Sequence, residues 1–453
     1  MDGNRKTILV IGLARSGISA ARLLYRMGNR VIINDSSSTA EVMSAAKELR
    51  ETIDCEVYLG RNPDELLDRT DQIVISPGVP TDAPFLIKAA KMGIQVISEV
   101  ELAYRYCKAP IIAVTGTNGK TTTTAWIGEI LKASGATTHV VGNIGIPFSG
   151  KVEEIKPADK VVAEISSFQL ETIVDFRPHI SLILNISPDH LNRHKTMDNY
   201  IAAKSRIFEN QGSEDYLILN GDDDTLSKVK PGGPVRVFYF SRTKSLTEGA
   251  WVEDGRICMN LGAGAITVCK TDQVGIPGAH NLENALAAAL AAGLSGVTPE
   301  IIARVLKEFP GVEHRIEKVD TINGITFYND SKGTNPASSI KAIQAIPGPI
   351  VLIAGGMDKK TGFSDFIDAF GSKVRELVLL GETADIIAKT AKEKGFTNIH
   401  MTNSIEEAVE KAYELSSPGF QVLLSPACAS WDMFRDFEER GELFKAAVKA
   451  LRR

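Results

Sequence analysis

The run Gly116-Thr117-Asn118-Gly119-Lys120-Thr121-Thr122 has the residue types and spacing of a phosphate cradle. Two glycines let a backbone turn tightly and aim its N–H groups inward. Lys120 adds a mobile cation, and the Thr121 hydroxyl can ligate magnesium. The apolar run Ile111–Val114 precedes the loop as a short buried strand, and Thr121–Thr124 open a helix whose N-terminus favours anions. The full Walker pattern is not met, because Val114 stands where its first glycine would be. An ordinary glycine turn is therefore the plain alternative to a loop that handles a nucleoside triphosphate.

A second loop, Gly12-Leu-Ala-Arg-Ser-Gly17, is followed by Asp35 at the end of the next strand. It comes close to a dinucleotide fingerprint, but Ala14 replaces the glycine that lets a pyrophosphate approach the backbone. A nucleotide in a shifted pose remains compatible. Asp35 is either a ribose or base contact or a helix-capping or turn aspartate, and Arg15 and Ser16 are either ligand contacts or exposed loop.

Further polar residues fall where strands should end. Glu164 closes the strand KVVAEI and could hold magnesium near the glycine loop, or cap a helix or pair with a surface lysine. Asp189-His190 follows SLILNI, and His190 and His194 have helical metal-pair spacing without further zinc ligands behind them. Lys204 and Arg206 lie in the amphipathic pattern DNYIAAKSRIF, which on its own reads as a solvated basic helix face. Asn281 and Asn284 open an alanine-rich helix, as ligand contacts or as caps, and Arg315 could reach a phosphate or form an interdomain salt bridge. Three polar loops, Asp330–Asn335, Gly355–Lys360 and Ser425–Ser430, each follow a strand of one proposed sheet and suggest a small anionic ligand. Cys428 reads as buried rather than nucleophilic, having no histidine partner in its motif.

These residues need parallel sheets to hold them, because ligands of open α/β sheets sit outside the carboxyl ends of the strands. Short apolar strands alternate with helical patterns over residues 4–107, and again over 312–453. Residues 108–311 form the largest block, with shorter strands and a hairpin turn at Glu253-Asp254-Gly255-Arg256. The expected architecture is α/β in three domains: a Rossmann-like nucleotide-binding domain (1–107), a central ATPase-type domain with a parallel sheet (108–311), and a second Rossmann-like domain (312–453).

At 453 residues, 43% hydrophobic and 24% charged, the chain can form sizeable cores. A net charge of −5 argues against general nucleic-acid binding. The five cysteines are scattered without a CxxC pair, which suits a reducing cytoplasm and argues against structural zinc. No apolar run is long enough to span a bilayer, and charged residues lead straight into the first strand without a signal peptide, so a cytoplasmic protein is expected.

With these residues assembled, the chain resembles the Mur ligases of peptidoglycan synthesis from end to end. GTNGKTT, AEISSFQLE, NISPDH, HNLENALAA, His314-Arg315, NDSKGTN and LSPACASWDMF carry the likeness in this order. The resemblance is nearest to members that add D-glutamate to UDP-N-acetylmuramoyl-L-alanine. It implies ATP-dependent amide ligation through an acyl phosphate, with two magnesium ions, in a protein expected to be a monomer.

Carried over residue by residue, the resemblance assigns the 116–122 loop, Asn281, Asn284, Arg315 and Asp330 to ATP. Lys120, Glu164, His190 and Lys204 become catalytic, and Thr121, Glu164, His190 and Lys204 serve the metal, Lys204 in carbamylated form. Arg15, Ser16, Asp35, Gly78 and Asn143 fall to the UDP substrate, and Lys332, Thr334, Lys359, Ser430 and Phe437 to D-glutamate. Sibling ligases fit less well: the alanine-adding type carries His in place of Asn118, and the DNPR-type motif of the diaminopimelate-adding type is absent. Asn192 departs from the aspartate common in the family. From other classes, a dinucleotide-dependent oxidoreductase built on residues 7–35 and a nucleotide-gated binding module remain as alternatives.

Overall fold

The computed structural model describes residues 5–143, 145–276, 278–358 and 362–452. The chain forms two compact units, Met1–Gly275 with Ala279–Phe309, and Ile276–Gly278 with Pro310–Arg453. Among the described residues they hold three sheets, two in the first unit and one in the second. The fold is α/β, as expected.

The N-terminal sheet contains β1 (Thr7–Ile11), β2 (Arg30–Asp35), β3 (Cys55–Leu59), β4 (Gln72–Ile75) and β5 (Gln95–Ser98), all parallel. Its order is β3-β2-β1-β4-β5, so the chain reverses direction of travel between β1 and β4. Ile8, Leu9 and Val10 are buried on both faces, as strands covered by helices require.

The central sheet contains β6 (Ile111–Thr115), β7 (Thr138–Gly142), β8 (Lys160–Glu164), β9 (Ile180–Ile183), β10 (Tyr216–Asn220), β11 (Arg236–Ser241), β12 (Gly249–Glu253), β13 (Arg256–Asn260) and β14 (Ile266–Lys270). The order is β14-β13-β12-β11-β10-β9-β6-β8-β7, with β6 parallel to both neighbours. The β12–β13 hairpin turns at Asp254 and Gly255, both left-handed (φ 48° and 69°), the conformation a two-residue turn of this kind demands. A continuous core runs between this sheet and the N-terminal one, joining Ala20, Leu24 and Val100 to Phe148 and Phe176. Buried Glu101 reinforces it, accepting backbone N–H groups of Val174, Asp175 and Phe176.

The second unit carries β15 (Glu317–Ile322), β16 (Ile325–Asn329), β17 (Ile350–Ala354), β18 (Val374–Leu379), β19 (Ile399–Met401) and β20 (Gln421–Leu424). Their order is β15-β16-β20-β17-β18-β19. Strands β16, β20 and β17 are adjacent and parallel, so the loops that follow them open on one edge.

Candidate active site

Strand β6 lies between β8 and β9, and the segments after all three emerge side by side. After β6 the backbone turns through Gly116 (φ 148°) and Gly119 (φ 83°) into the helix Lys120–Ala133. A Cβ on Gly119 would lie 2.3 Å from Asn284 Oδ1, so both dihedral and space require glycine. The loop is held from below: Asn118 donates its N–H to Asn185 Oδ1 at 2.8 Å, and Asn185 Nδ2 returns a bond to the Asn118 carbonyl at 3.1 Å. Thr117 Oγ1 accepts the Ser187 N–H and lies 3.2 Å from the Tyr200 hydroxyl. Lys120 folds over its own loop, donating to the Gly116 and Thr117 carbonyls at 2.9 Å each. Asn281 and Asn284 stand on the first turns of the helix Ala279–Leu294, with Asn284 against the glycine loop. Thr121 lies in the first turn after Lys120, and Thr122 behind it is buried.

Lys204 is not on a solvated face, contrary to the pattern read from DNYIAAKSRIF. It is only 2% exposed, at the end of the helix Met197–Ser205. Its Nζ donates to the Gly116 carbonyl at 2.8 Å and sits 4.7 Å from the centre of the Tyr200 ring. Burial, reinforced by the nearby Lys120 charge, pulls its pKa well below the ordinary lysine value. The weak amphipathic signal misled because helix and loop meet only through tertiary packing.

Glu164 ends β8, buried, with its carboxylate 3.4 Å from Asn143 Nδ2, while its carbonyl accepts the Asn143 N–H at 2.8 Å. It neither caps a helix nor pairs with a surface lysine among the bonds described. His190 follows β9 in a left-handed conformation (φ 52°), its ring 4.9 Å from that of Phe168. Desolvation lowers its pKa, which favours the neutral imidazole. His194 is buried and bonded to Ser167 Oγ at 2.9 Å, a structural histidine. The Thr121 hydroxyl and Glu164 carboxylate are oxygen donors of the kind magnesium takes. Among the described residues, the only cluster of three acidic or histidine side chains close enough for an ion is Glu313, His314 and Glu442, elsewhere in the chain.

In the N-terminal sheet a cavity of about 670 Å³ opens beyond β1 and β4, where the strand order reverses. Ala14, Ser16, Asp35 and Gly78 line it, whereas Arg15 is exposed at the start of its helix. Asp35 builds the wall: its carboxylate accepts the N–H groups of Leu13 and Ser37 at 2.8 Å each.

In the second unit the loops after β16 and β20 are locked together. Asp330 is fully enclosed and accepts from Ser425 Oγ at 2.6 Å, and burial raises its pKa to about 6. Arg315 lowers it in part through its charge. Lys332 Nζ lies 5.7 Å from the centre of the Phe437 ring, and the Thr334 N–H meets the Lys332 carbonyl. Ser430 is buried, and its carbonyl accepts the Phe434 N–H. Lys359 lies outside the described residues. Cys428 is buried beside Thr383, and desolvation raises its thiol to about 11.

Several residues of these sites escape sequence reading. Arg440 is 1% exposed and donates to the Ser331 hydroxyl and carbonyl and to the carbonyls of Cys428 and Ala429, tying two loops to the helix Phe437–Ala450. A charged residue on an amphipathic pattern gives no sign of burial. Asn185, Tyr200 and Arg193 were equally silent; only the position of Asn185 at a strand end hinted at its role.

Three largely parallel α/β sheets, one of them carrying a glycine loop that opens a helix, define a three-domain α/β class. The Mur ligase middle domain matches residues 114–292, the Mur ligase glutamate ligase domain 314–428, and the MurD-like N-terminal domain 6–98. The chain belongs to the Mur ligase family. A UDP-N-acetylmuramoylalanine–D-glutamate ligase of Thermoanaerobacter pseudethanolicus is 50% identical over 455 residues, covering all of both chains. The protein of the same name from Clostridioides difficile is 46% identical, again over all of both. Among solved structures, the UDP-N-acetylmuramate–alanine ligase of Thermotoga maritima has the same fold, with a TM-score of 0.61 at 18% identity over 98% of this chain and 100% of that one.

Proposed function

We propose that the chain is an ATP-dependent carbon–nitrogen ligase that joins D-glutamate to UDP-N-acetylmuramoyl-L-alanine in peptidoglycan precursor synthesis. The observation that carries this reading is the 50% identity, over the whole of both chains, to a relative bearing that activity in its name. The division into domains at 107/108 and 311/312, a cytoplasmic location and a monomeric state belong to the same reading.

A carboxylate is a poor electrophile, so the alanyl carboxylate first attacks the γ-phosphorus of ATP, giving an acyl phosphate and ADP. The amine of D-glutamate then attacks the acyl carbon, and phosphate leaves as the amide forms. The glycine-loop N–H groups and Lys120 are suited to the ATP phosphates, where positioning and charge do most of the catalysis. Asn281, Asn284, Arg315 and Asp330 are assigned to the same nucleotide. Thr121, Glu164, His190 and a carbamylated Lys204 would hold two magnesium ions. Bound there, the ions would neutralise the approaching anions. The depressed pKa of Lys204 supports carbamylation, since only the free amine reacts with carbon dioxide.

The cavity on the N-terminal sheet suits the uridine nucleotide through Ser16, Asp35 and Gly78, with Arg15 at its margin and Asn143 toward the muramoyl group. Lys332, Thr334, Lys359, Ser430 and Phe437 are assigned to D-glutamate, whose two carboxylates call for such donors. Phosphate release from Mg-ATP is expected only when UDP-N-acetylmuramoyl-L-alanine and D-glutamate are both present. Equal release with L-glutamate, or release without the UDP-sugar, would overturn the assignment.

A further inference from the structure

Arg193 stands in the four-residue helix Leu191–His194, which directly follows His190. Its guanidinium reaches out of the central sheet. Nη1 donates to the Pro77 carbonyl at 3.1 Å, and Nη2 donates to the Val79 carbonyl at 2.8 Å and to Glu171 Oε2 at 2.7 Å. Pro77, Gly78 and Val79 form one wall of the nucleotide cavity. The other side of Arg193 faces the chemistry: Cζ lies 4.5 Å from the centre of the Phe168 ring, and that ring is 4.9 Å from His190. Glu171 completes the bridge, accepting from Thr81 Oγ1 at 3.2 Å and lying 3.4 Å from His194 Nδ1.

The short helix is bounded by two left-handed non-glycine residues, His190 (φ 52°) and Lys195 (φ 69°). Such conformations persist where surrounding contacts over-determine them. Arg193 supplies the contacts on one side, through a planar fork that addresses two carbonyls and a carboxylate at once. Lysine has no such fork.

We propose that Arg193 is a positioning residue that fixes the Pro77–Val79 wall of the nucleotide cavity to the His190 loop, so that filling the cavity and setting His190 are coupled. The kinetic part of this inference rests on the ligase reading; its binding part needs only that the cavity takes the UDP-sugar. Arg193→Met and Arg193→Lys test it together, by calorimetric binding of UDP-N-acetylmuramoyl-L-alanine and by steady-state phosphate release. In both variants the Kd for the UDP-sugar is expected to rise about ten-fold and kcat to fall about ten-fold, with KM for ATP within about two-fold of the parent. Parent-like Kd and kcat with only a lowered melting temperature would overturn the proposal and leave Arg193 a structural stitch. So would full rescue by lysine. A parent that binds the UDP-sugar but releases no phosphate would sink the ligase reading, and the binding measurement would still judge Arg193. A parent that does not bind the UDP-sugar overturns both. Should Arg193→Met fail to fold, Thr81→Val, which removes only the hydroxyl on Glu171, is expected to raise the same Kd about two-fold; an unchanged Kd would count against the proposal.

Discussion

Lys120 and Lys204 donate to the same carbonyl, that of Gly116. Burial disfavours the charged form of Lys204, and the Lys120 charge on the same oxygen adds to it. The folded pKa of Lys204 lies well below the ordinary lysine value, so the unmodified protein carries a cost at neutral pH that fades as pH rises toward the unfolded value of 10.5. In Lys204→Met this cost is absent. The stability gap between variant and unmodified parent, followed by denaturant titration, should therefore shrink as pH climbs toward 10.5; a constant gap would show that Lys204 is charged in the fold. Turnover of the same variant is expected to fall about a hundred-fold or more, the scale of losing a pre-set electrostatic group. Near-parent turnover would remove Lys204 from the catalytic set. The sequence names Lys204 through its motif, yet its burial against the Gly116 carbonyl is set by a contact between residues 88 positions apart in the chain.

The strand–loop–helix unit from Ile111 to Ala133 shows how much of an element is written locally. An apolar run, two glycines and a threonine-rich helix start define it before any packing is known. The strands Ile350–Ala354 and Gln421–Leu424 are legible to the residue as buried runs bounded by Gly, Pro or Ser, and the helix Pro299–Glu308 as an amphipathic stretch that opens on a proline and buries Ile302, Val305 and Leu306. Strands β3 and β5 are harder to see, because edge strands carry mixed polarity; every residue of β3 is half-buried. What the local pattern does not contain is the neighbour of the loop. Asn284, 165 positions beyond Gly119, occupies the space a Cβ would need, at 2.3 Å. Gly119→Ala is therefore expected to cost about 1–2 kcal/mol for its left-handed conformation, with a further penalty from displacing Asn284. KM for ATP should rise about ten-fold or more, while binding of the UDP-sugar is unchanged. Parent-like ATP kinetics in this variant would show that the loop tolerates a side chain and is not the phosphate cradle.

Across the whole molecule one architectural rule repeats. Each sheet is largely parallel, and each presents its polar loops beyond the carboxyl ends of adjacent strands: β1 and β4, then β8, β6 and β9, then β16, β20 and β17. Three such edges are available to the three substrates of the proposed reaction, a UDP-sugar, ATP and an amino acid. Among the described residues no helix is long and apolar enough to cross a membrane. The order of chemistry, activation by phosphoryl transfer before attack by the amine, is the central claim, and oxygen tracing tests it most directly. UDP-N-acetylmuramoyl-L-alanine labelled with ¹⁸O in its alanyl carboxylate is turned over with ATP and D-glutamate, and the released phosphate is analysed by mass. An acyl phosphate hands one carboxylate oxygen to phosphate and leaves the other in the amide, so each phosphate should carry one labelled oxygen. Unlabelled phosphate alongside labelled amide product would show that the carboxylate never attacked ATP, and would contradict the account.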